Sequence, residues 1–198
     1  MRGLRTKLDL VKNNIKILTP EPDIIILTET WLCQDINDNE IGLLGYNIVR
    51  KDRYNFSAAP CGGGVLIAIK DKFTFDIITN SNIESLFQED SNVSSFDDNL
   101  SEENTRNQFS VDIEQIFIEL SLHKKFIIGA FYPSPRDDFN VYLQHTQSIE
   151  LLKNKYESHE FILMGDYNIP KTVWSNYSEI SDTFTANCDS ERKCGINC

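Results

Sequence analysis

The chain has 198 residues, 40% of them hydrophobic and 25% charged, and a formal net charge of −11. That length fits one domain, or most of one, and the acidic balance excludes a generic nucleic-acid binder, whose affinity rests on neutralising phosphates. The charge is uneven, however: Glu84 to Glu114 carries nine acids and one arginine, and the rest of the chain nets only −3.

In chain order, Leu4, Leu8, Val11, Ile15 and Leu18 fall on one helical face. Asn13-Asn14, Pro20 and Pro22 end that helix. An apolar strand follows at Asp23–Thr28, and another at Gly45–Arg50. Gly62-Gly63-Gly64 leads into a third at Val65–Ile69, with a fourth at Phe73–Thr79. Short apolar strands joined by turn residues predict a sheet with antiparallel neighbours. Residues 80–112 are dominated by Asn, Ser, Asp and Glu without a period, which predicts a disordered acidic insertion. Gln115–Leu120 and Lys125–Tyr132 read as a hairpin turning at Leu122-His123-Lys124. A helix over about 138–156 follows, with Tyr142, Ile149, Leu152 and Tyr156 as candidate core, and then a strand at Glu160–Met164. From Thr183 the chain is polar and cysteine-rich without a clear element, so 1–182 reads as the domain and 183–198 as an irregular tail.

The five cysteines, Cys33, Cys61, Cys188, Cys194 and Cys198, are odd in number and irregular in spacing. With no opening signal peptide, they point to a reduced intracellular protein. Cys188, Cys194 and Cys198 fit no common zinc-finger spacing. No apolar stretch approaches the ~20 residues of a membrane span, so no membrane partner is expected.

Two strands carry the chemistry. Phe161–Met164 ends in Gly165-Asp166-Tyr167-Asn168, and Ile24–Thr28 ends in Glu29. In a strand, residues i and i+2 point to one side, so Asp166 and Asn168 are placed to converge on one substrate. Two buried strands that each deliver an acid at a sheet mouth point to metal-assisted phosphoester chemistry. Taken alone, Asp166 and Asn168 also fit an ordinary Asx turn, and Glu29 a turn residue. Gly62–Gly64 lacks the lysine and helix of a phosphate-cradling loop and reads as a strand-entry bend. Trp31 and Trp174 read as packing residues. His123 falls in a turn, and His145 and His159 in or beside a helix; each is expected to be exposed and structural.

Arg2-Gly3-Leu4, Leu27–Leu32 (Leu-Thr-Glu-Thr-Trp-Leu), Arg50-Lys51-Asp52-Arg53, Gly62–Val65, Tyr132–Pro135 and Gly165–Asn168 occur in this order. Jointly they resemble the endonuclease/exonuclease/phosphatase superfamily, and within it the apurinic-type endonuclease domain of non-LTR (LINE-like) retrotransposons. The resemblance covers about residues 2–175. It implies a four-layer α/β sandwich, two packed mixed sheets flanked by helices, with a Mg²⁺ (or Mn²⁺) site at the sheet mouths. By that resemblance Glu29 matches the metal-binding glutamate. Asp166 matches the aspartate that orients or deprotonates the attacking water. Asn168 matches the asparagine that fixes that water or the phosphate, and Tyr132 the tyrosine whose hydroxyl contacts the phosphate. Arg50, Arg53 and Arg136, with Lys51, flank the expected mouth as candidate contacts to DNA phosphates. The implied reaction is a nick in target DNA that leaves a 3′-hydroxyl primer. The implied partner in an intact element is a C-terminal reverse transcriptase, and the implied location is the nucleus.

The pattern also departs from the family. The asparagine expected before Arg2-Gly3-Leu4, a later aspartate and the closing Ser-Asp-His are absent. The reading is therefore a copy truncated at the C-terminus, with an incomplete sandwich and impaired chemistry. A non-catalytic remnant, or a phosphoesterase acting on another phosphodiester or phosphomonoester, are the alternatives.

Overall fold

A computed structural model describes residues 3–53, 62–93, 113–169, 173–174 and 186–187. Helix α1 (Leu4–Ile17) buries Leu4, Val11 and Ile15, with Leu8 partly covered; Leu18, just past its end, is exposed. Strand β1 (Ile24–Thr28), the short helix α2 (Asp38–Ile41), β2 (Tyr46–Lys51) and β3 (Val65–Lys70) follow. Their sheet has the order β1-β3-β2 and is antiparallel throughout. Next come β4 (Phe75–Ile78), α3 (Asn80–Val93), β5 (Gln115–Ser121), β6 (Lys125–Phe131), α4 (Phe139–Lys155) and β7 (Glu160–Gly165). These strands form a second sheet in the order β4-β5-β6-β7. It is mixed, because α4 carries the chain back to lay β7 parallel to β6. A separate two-stranded ladder joins β8 (Val173–Trp174) to β9 (Ala186–Asn187), and β9 falls in the stretch 183–198 that was expected to be irregular.

Alternation along the strands builds the layers. Val65, Ile67 and Ile69 of β3 meet Ile116, Ile118, Leu120, Ile128 and Ala130 of the other sheet. Leu66 and Ala68 turn the opposite way, under α1. Phe117 and Ile127 turn outward beneath α3 and α4, against Ile83, Leu151 and Leu152. The order is thus helix, sheet, sheet, helices: the expected four-layer α/β sandwich. β3 is buried on both faces, which is why Val65–Ile69 reads as a continuous apolar run rather than an alternating one.

The expectation for residues 80–112 fails at their start. The first 14 residues of the segment read as a disordered insertion form α3. Thr79 and Asn82 cap its start, the Thr79 N–H donating to Asn82 Oδ1 at 2.9 Å and the Asn82 N–H to Thr79 Oγ1 at 3.3 Å. Ile83 is buried and Leu86 partly covered against the sheet. Two well-placed apolar residues suffice when tertiary packing, not propensity, stabilises a helix. Residues 94–112 lie outside the described residues.

Candidate active site

Glu29 sits just beyond β1 in a left-handed backbone conformation, φ 55°, as does Trp31, φ 55°. Neither is a glycine, and such conformations persist only where the surroundings enforce them. Here they do. The N–H groups of Gly3 and Leu4 donate to the carbonyls of Glu29 and Thr30 at 3.0 and 2.7 Å. The N–H groups of Thr30 and Trp31 donate to Gly64 and Gly63 at 3.3 and 2.9 Å. The glycine motifs at residues 3 and 62–64 therefore grip the turn that presents the glutamate. Gly64 itself needs φ +87°, and a Cβ there would meet Thr30 Oγ1 at 2.6 Å. The strand-entry bend expected for Gly62–Gly64 is thus also a clamp. Trp31 is exposed rather than packed in the core, and the side chain of Trp174 lies outside the described residues.

Tyr132 follows β6 and is buried, and its hydroxyl donates to Glu29 Oε1. Burial first, and then the Glu29 carboxylate, hold its phenol well above the usual range, so it stays a proton donor. Beside it the Arg53 guanidinium lies 5.7 Å from the centre of the Tyr132 ring and pairs with Glu114. Glu114 is buried and also accepts the Gly64 N–H. Burial raises its pKa, and the Gly64 N–H and Arg53 pull it back. From the sequence, Glu114 enters only as the last acid of the stretch Glu84–Glu114, just beyond the expected insertion. Its signal was position: an acid set directly against the apolar run that begins at Gln115.

Asp166 to Asn168 follow β7. Because β6 and β7 are parallel with Phe131 opposite Gly165, they leave the sheet at the same end as Tyr132 and Pro133. Only glycine fits at 165, since a Cβ there would lie 2.0 Å from the Phe131 carbonyl oxygen. The strand stops at this glycine, so Asp166 and Asn168 do not converge by strand alternation. They form an Asx turn instead, the Asn168 N–H donating to Asp166 Oδ1 at 3.2 Å with Asn168 at φ 45°. The Asn168 Nδ2 donates to the Pro133 carbonyl at 2.8 Å, which orients the amide. Asp166 is exposed. A hydrogen-bonded chain thus links Glu29 to Tyr132 and Asn168 to the neighbouring Pro133, at one mouth where β1 lies against β7.

The expected DNA contacts divide. Arg50 is largely buried, its Nε 3.1 Å from Asp38 and 3.6 Å from Asp52, and its Nη2 donates to the Ile36 carbonyl. Those partners give it an internal role, locking α2 to β2. Arg53 is bound to Glu114 at the mouth, and Arg136 is exposed in the loop after β6.

The histidines also divide. His123 is exposed in the hairpin turn, as expected. His145 is buried instead, stacked 3.7 Å from the Phe131 ring. His159 is nearly buried and pairs with Glu119 at 3.0 Å. Apolar neighbours of α4 and the β7 entry, not sequence context, decide these placements.

Glu29, Asp166, Asn168 and Tyr132 offer hard oxygen atoms, the donor type that Mg²⁺ or Mn²⁺ takes. Among the described residues no cluster of three or more His, Cys, Asp or Glu forms. A Mg²⁺ needs none, because it is commonly held by one or two carboxylates with water and substrate phosphate oxygens. The residues present fit such an ion. No described helix is long and apolar enough to cross a membrane.

The sequence profile of the Endonuclease/Exonuclease/phosphatase family matches residues 3–183. No curated protein matches the chain. Among solved structures, the human Nocturnin catalytic domain with bound sulfate anion is similar at 14% identity and a TM-score of 0.49. The match covers 83% of this chain and 57% of that one.

Proposed function

Because this chain belongs to the endonuclease/exonuclease/phosphatase family, we propose that it is a divalent-metal-dependent phosphodiesterase that nicks DNA, the endonuclease domain of a non-LTR retrotransposon. The observation that carries this reading is the meeting of Glu29 with Tyr132, and of Asn168 with the adjoining Pro133, at one sheet mouth. The ordered motifs from Arg2-Gly3-Leu4 to Gly165–Asn168 support the retrotransposon assignment.

Each residue has a task in in-line hydrolysis. Asp166, exposed at the mouth, orients the attacking water and accepts its proton. Asn168, its amide fixed by Pro133, hydrogen-bonds the water or the phosphate without repelling it. Tyr132, kept protonated, gives its one hydroxyl proton to Glu29 in the structure and would turn it to a phosphate oxygen when substrate binds. Glu29 would hold the cation, which when bound supplies charge neutralisation at the phosphoryl oxygens. Arg53 and Arg136 flank the mouth and would meet backbone phosphates. The product is a 3′-hydroxyl suited to priming a reverse transcriptase.

The test is nicking of supercoiled plasmid in Mg²⁺, with EDTA and Asp166→Ala as controls. Nicking that disappears in both, with ends that a polymerase extends, is expected. A second reading, a non-catalytic remnant, draws on one observation: no described histidine stands at the mouth. A folded, monodisperse sample without nicking would select it. Nicking that survives Asp166→Ala would move the chemistry elsewhere.

A further inference from the structure

Behind the Asp166–Asn168 turn, α4 brings up two side chains three residues apart on one face. The Tyr142 hydroxyl donates to the Tyr167 carbonyl at 2.9 Å and lies 3.4 Å from the Asn168 carbonyl. His145 approaches the same residue from the side-chain end, its Nε2 3.5 Å from the Tyr167 hydroxyl. The main chain and the ring of Tyr167, the residue between the aspartate and the asparagine, are therefore each met from α4.

The direction of the hydrogen bonds can be worked out. Ser148 Oγ donates to the Gln144 carbonyl at 2.9 Å, so it accepts from Gln115 Nε2 at 3.1 Å. That fixes the Gln115 amide with Oε1 toward His145 Nδ1, 2.8 Å away. An amide oxygen only accepts, so Nδ1 carries the imidazole proton and Nε2 is left as an acceptor. The Tyr167 hydroxyl is then the donor to Nε2. The chain runs from the turn inward to the α4 backbone through His145, Gln115 and Ser148, all buried. Phe131 stacks on His145 at 3.7 Å, and the rings of Tyr142 and Tyr167 stand edge-on to Phe131 at 6.1 and 5.3 Å. A polar chain in an apolar setting is costly unless every member is satisfied, and it then fixes one arrangement. The turn it reaches includes Asn168 at a positive φ, a conformation that asparagine tolerates and that the bonds to the Tyr167 and Asn168 carbonyls hold in one place.

We propose that Tyr142, backed by His145, is a positioning residue that holds Asp166 and Asn168 in register with Tyr132 and Glu29. This rests on the assignment of Asp166 and Asn168 to phosphodiester hydrolysis. Neither α4 side chain touches the substrate; both act through Tyr167.

Tyr142→Phe is the variant of choice, because it keeps the ring edge against Phe131 and deletes only the hydroxyl. The full chain is compared with wild type by hydrogen exchange over residues 165–169, with the β5–β6 hairpin as internal reference, and by kcat and KM for nicking in Mg²⁺ beside Asp166→Ala. Losing one such hydrogen bond is expected to speed exchange of the turn roughly fivefold and leave the hairpin unchanged. kcat should fall by a similar factor at constant KM, since DNA contact is untouched. Unchanged exchange overturns the proposal whatever the activity. Faster exchange with unchanged kcat, while Asp166→Ala is dead, overturns it as well. If wild type does not nick, or Asp166→Ala equals it, the phosphodiesterase reading fails instead. Exchange then decides alone whether Tyr142 holds the turn.

Discussion

His145 is neutral in the folded protein because nothing charged touches it and burial disfavours the imidazolium. Its pKa is pushed down to about 3 from an ordinary 6.5. A histidine with a depressed folded pKa binds its proton more weakly in the native state than in the unfolded chain. The unfolded state therefore gains protons first as pH falls, and stability drops from about pH 6.5 toward pH 3. A single such group contributes a slope approaching about 1.4 kcal/mol per pH unit inside that window. Urea midpoints of wild type and His145→Gln at pH 6.5, 5.5 and 4.5 check this: wild type should lose stability faster on acidification, by roughly that slope. Parallel curves would mean that the native ring accepts a proton, and the neutral stack on Phe131 would be wrong. The residue scale is also where sequence reading reached least far. The strand-end placement of Glu29 and Tyr132 was legible because each directly follows an apolar run, and that of Asp166 and Asn168 because they follow the run that stops at Gly165. Glu114, Tyr142 and His145 were not, because their partners Arg53, Tyr167 and Gln115 lie 61, 25 and 30 residues away. Only the tertiary fold brings such pairs together.

Among elements, strands were the most readable, because a buried strand needs an apolar run and the runs here are bounded by turn residues such as glycine, proline, serine, threonine or an acid. The left-handed turn at Glu29 to Trp31 was not readable, since neither residue type favours that conformation; it is imposed by Gly3 on one side and Gly63-Gly64 on the other. Helix α3 shows the converse. Its composition is that of a solvated loop, and a sparse apolar stripe decides the outcome. Ile83 is 2% exposed and packs with Ile78, Phe117 and Leu152. Ile83→Ala should therefore cost ~2–5 kcal/mol, the range for truncating a buried isoleucine. Glu84→Ala, at the exposed neighbour, should stay within about 0.5 kcal/mol. Chemical denaturation of both variants is the check. Equal, small effects would show that α3 is not docked on the sheet.

At the scale of the molecule, one edge strand of the described sandwich, β7, leaves apolar side chains exposed. β1 and β7 end their sheets among the described strands, and they lie against each other. Ile162 and Met164 of β7 stand opposite Ile128 and Ala130 of β6, which are sealed in the core. Yet Ile162 is 42% and Met164 53% exposed. The inner face of the second sheet thus runs out into solvent at its last described strand. An edge with unpaired backbone groups and apolar side chains is prone to pair with another chain. The consequence can be separated from ordinary core packing by one substitution. Ile162→Lys places a charge on the uncovered face, away from the mouth at Asp166. It should change stability by no more than about 0.5 kcal/mol and should lower self-association, read by sedimentation velocity at increasing protein concentration. Ile128→Lys, its neighbour across the ladder, buries the same charge and should prevent folding. If Ile162→Lys unfolds the chain as Ile128→Lys does, the β7 edge is covered in solution.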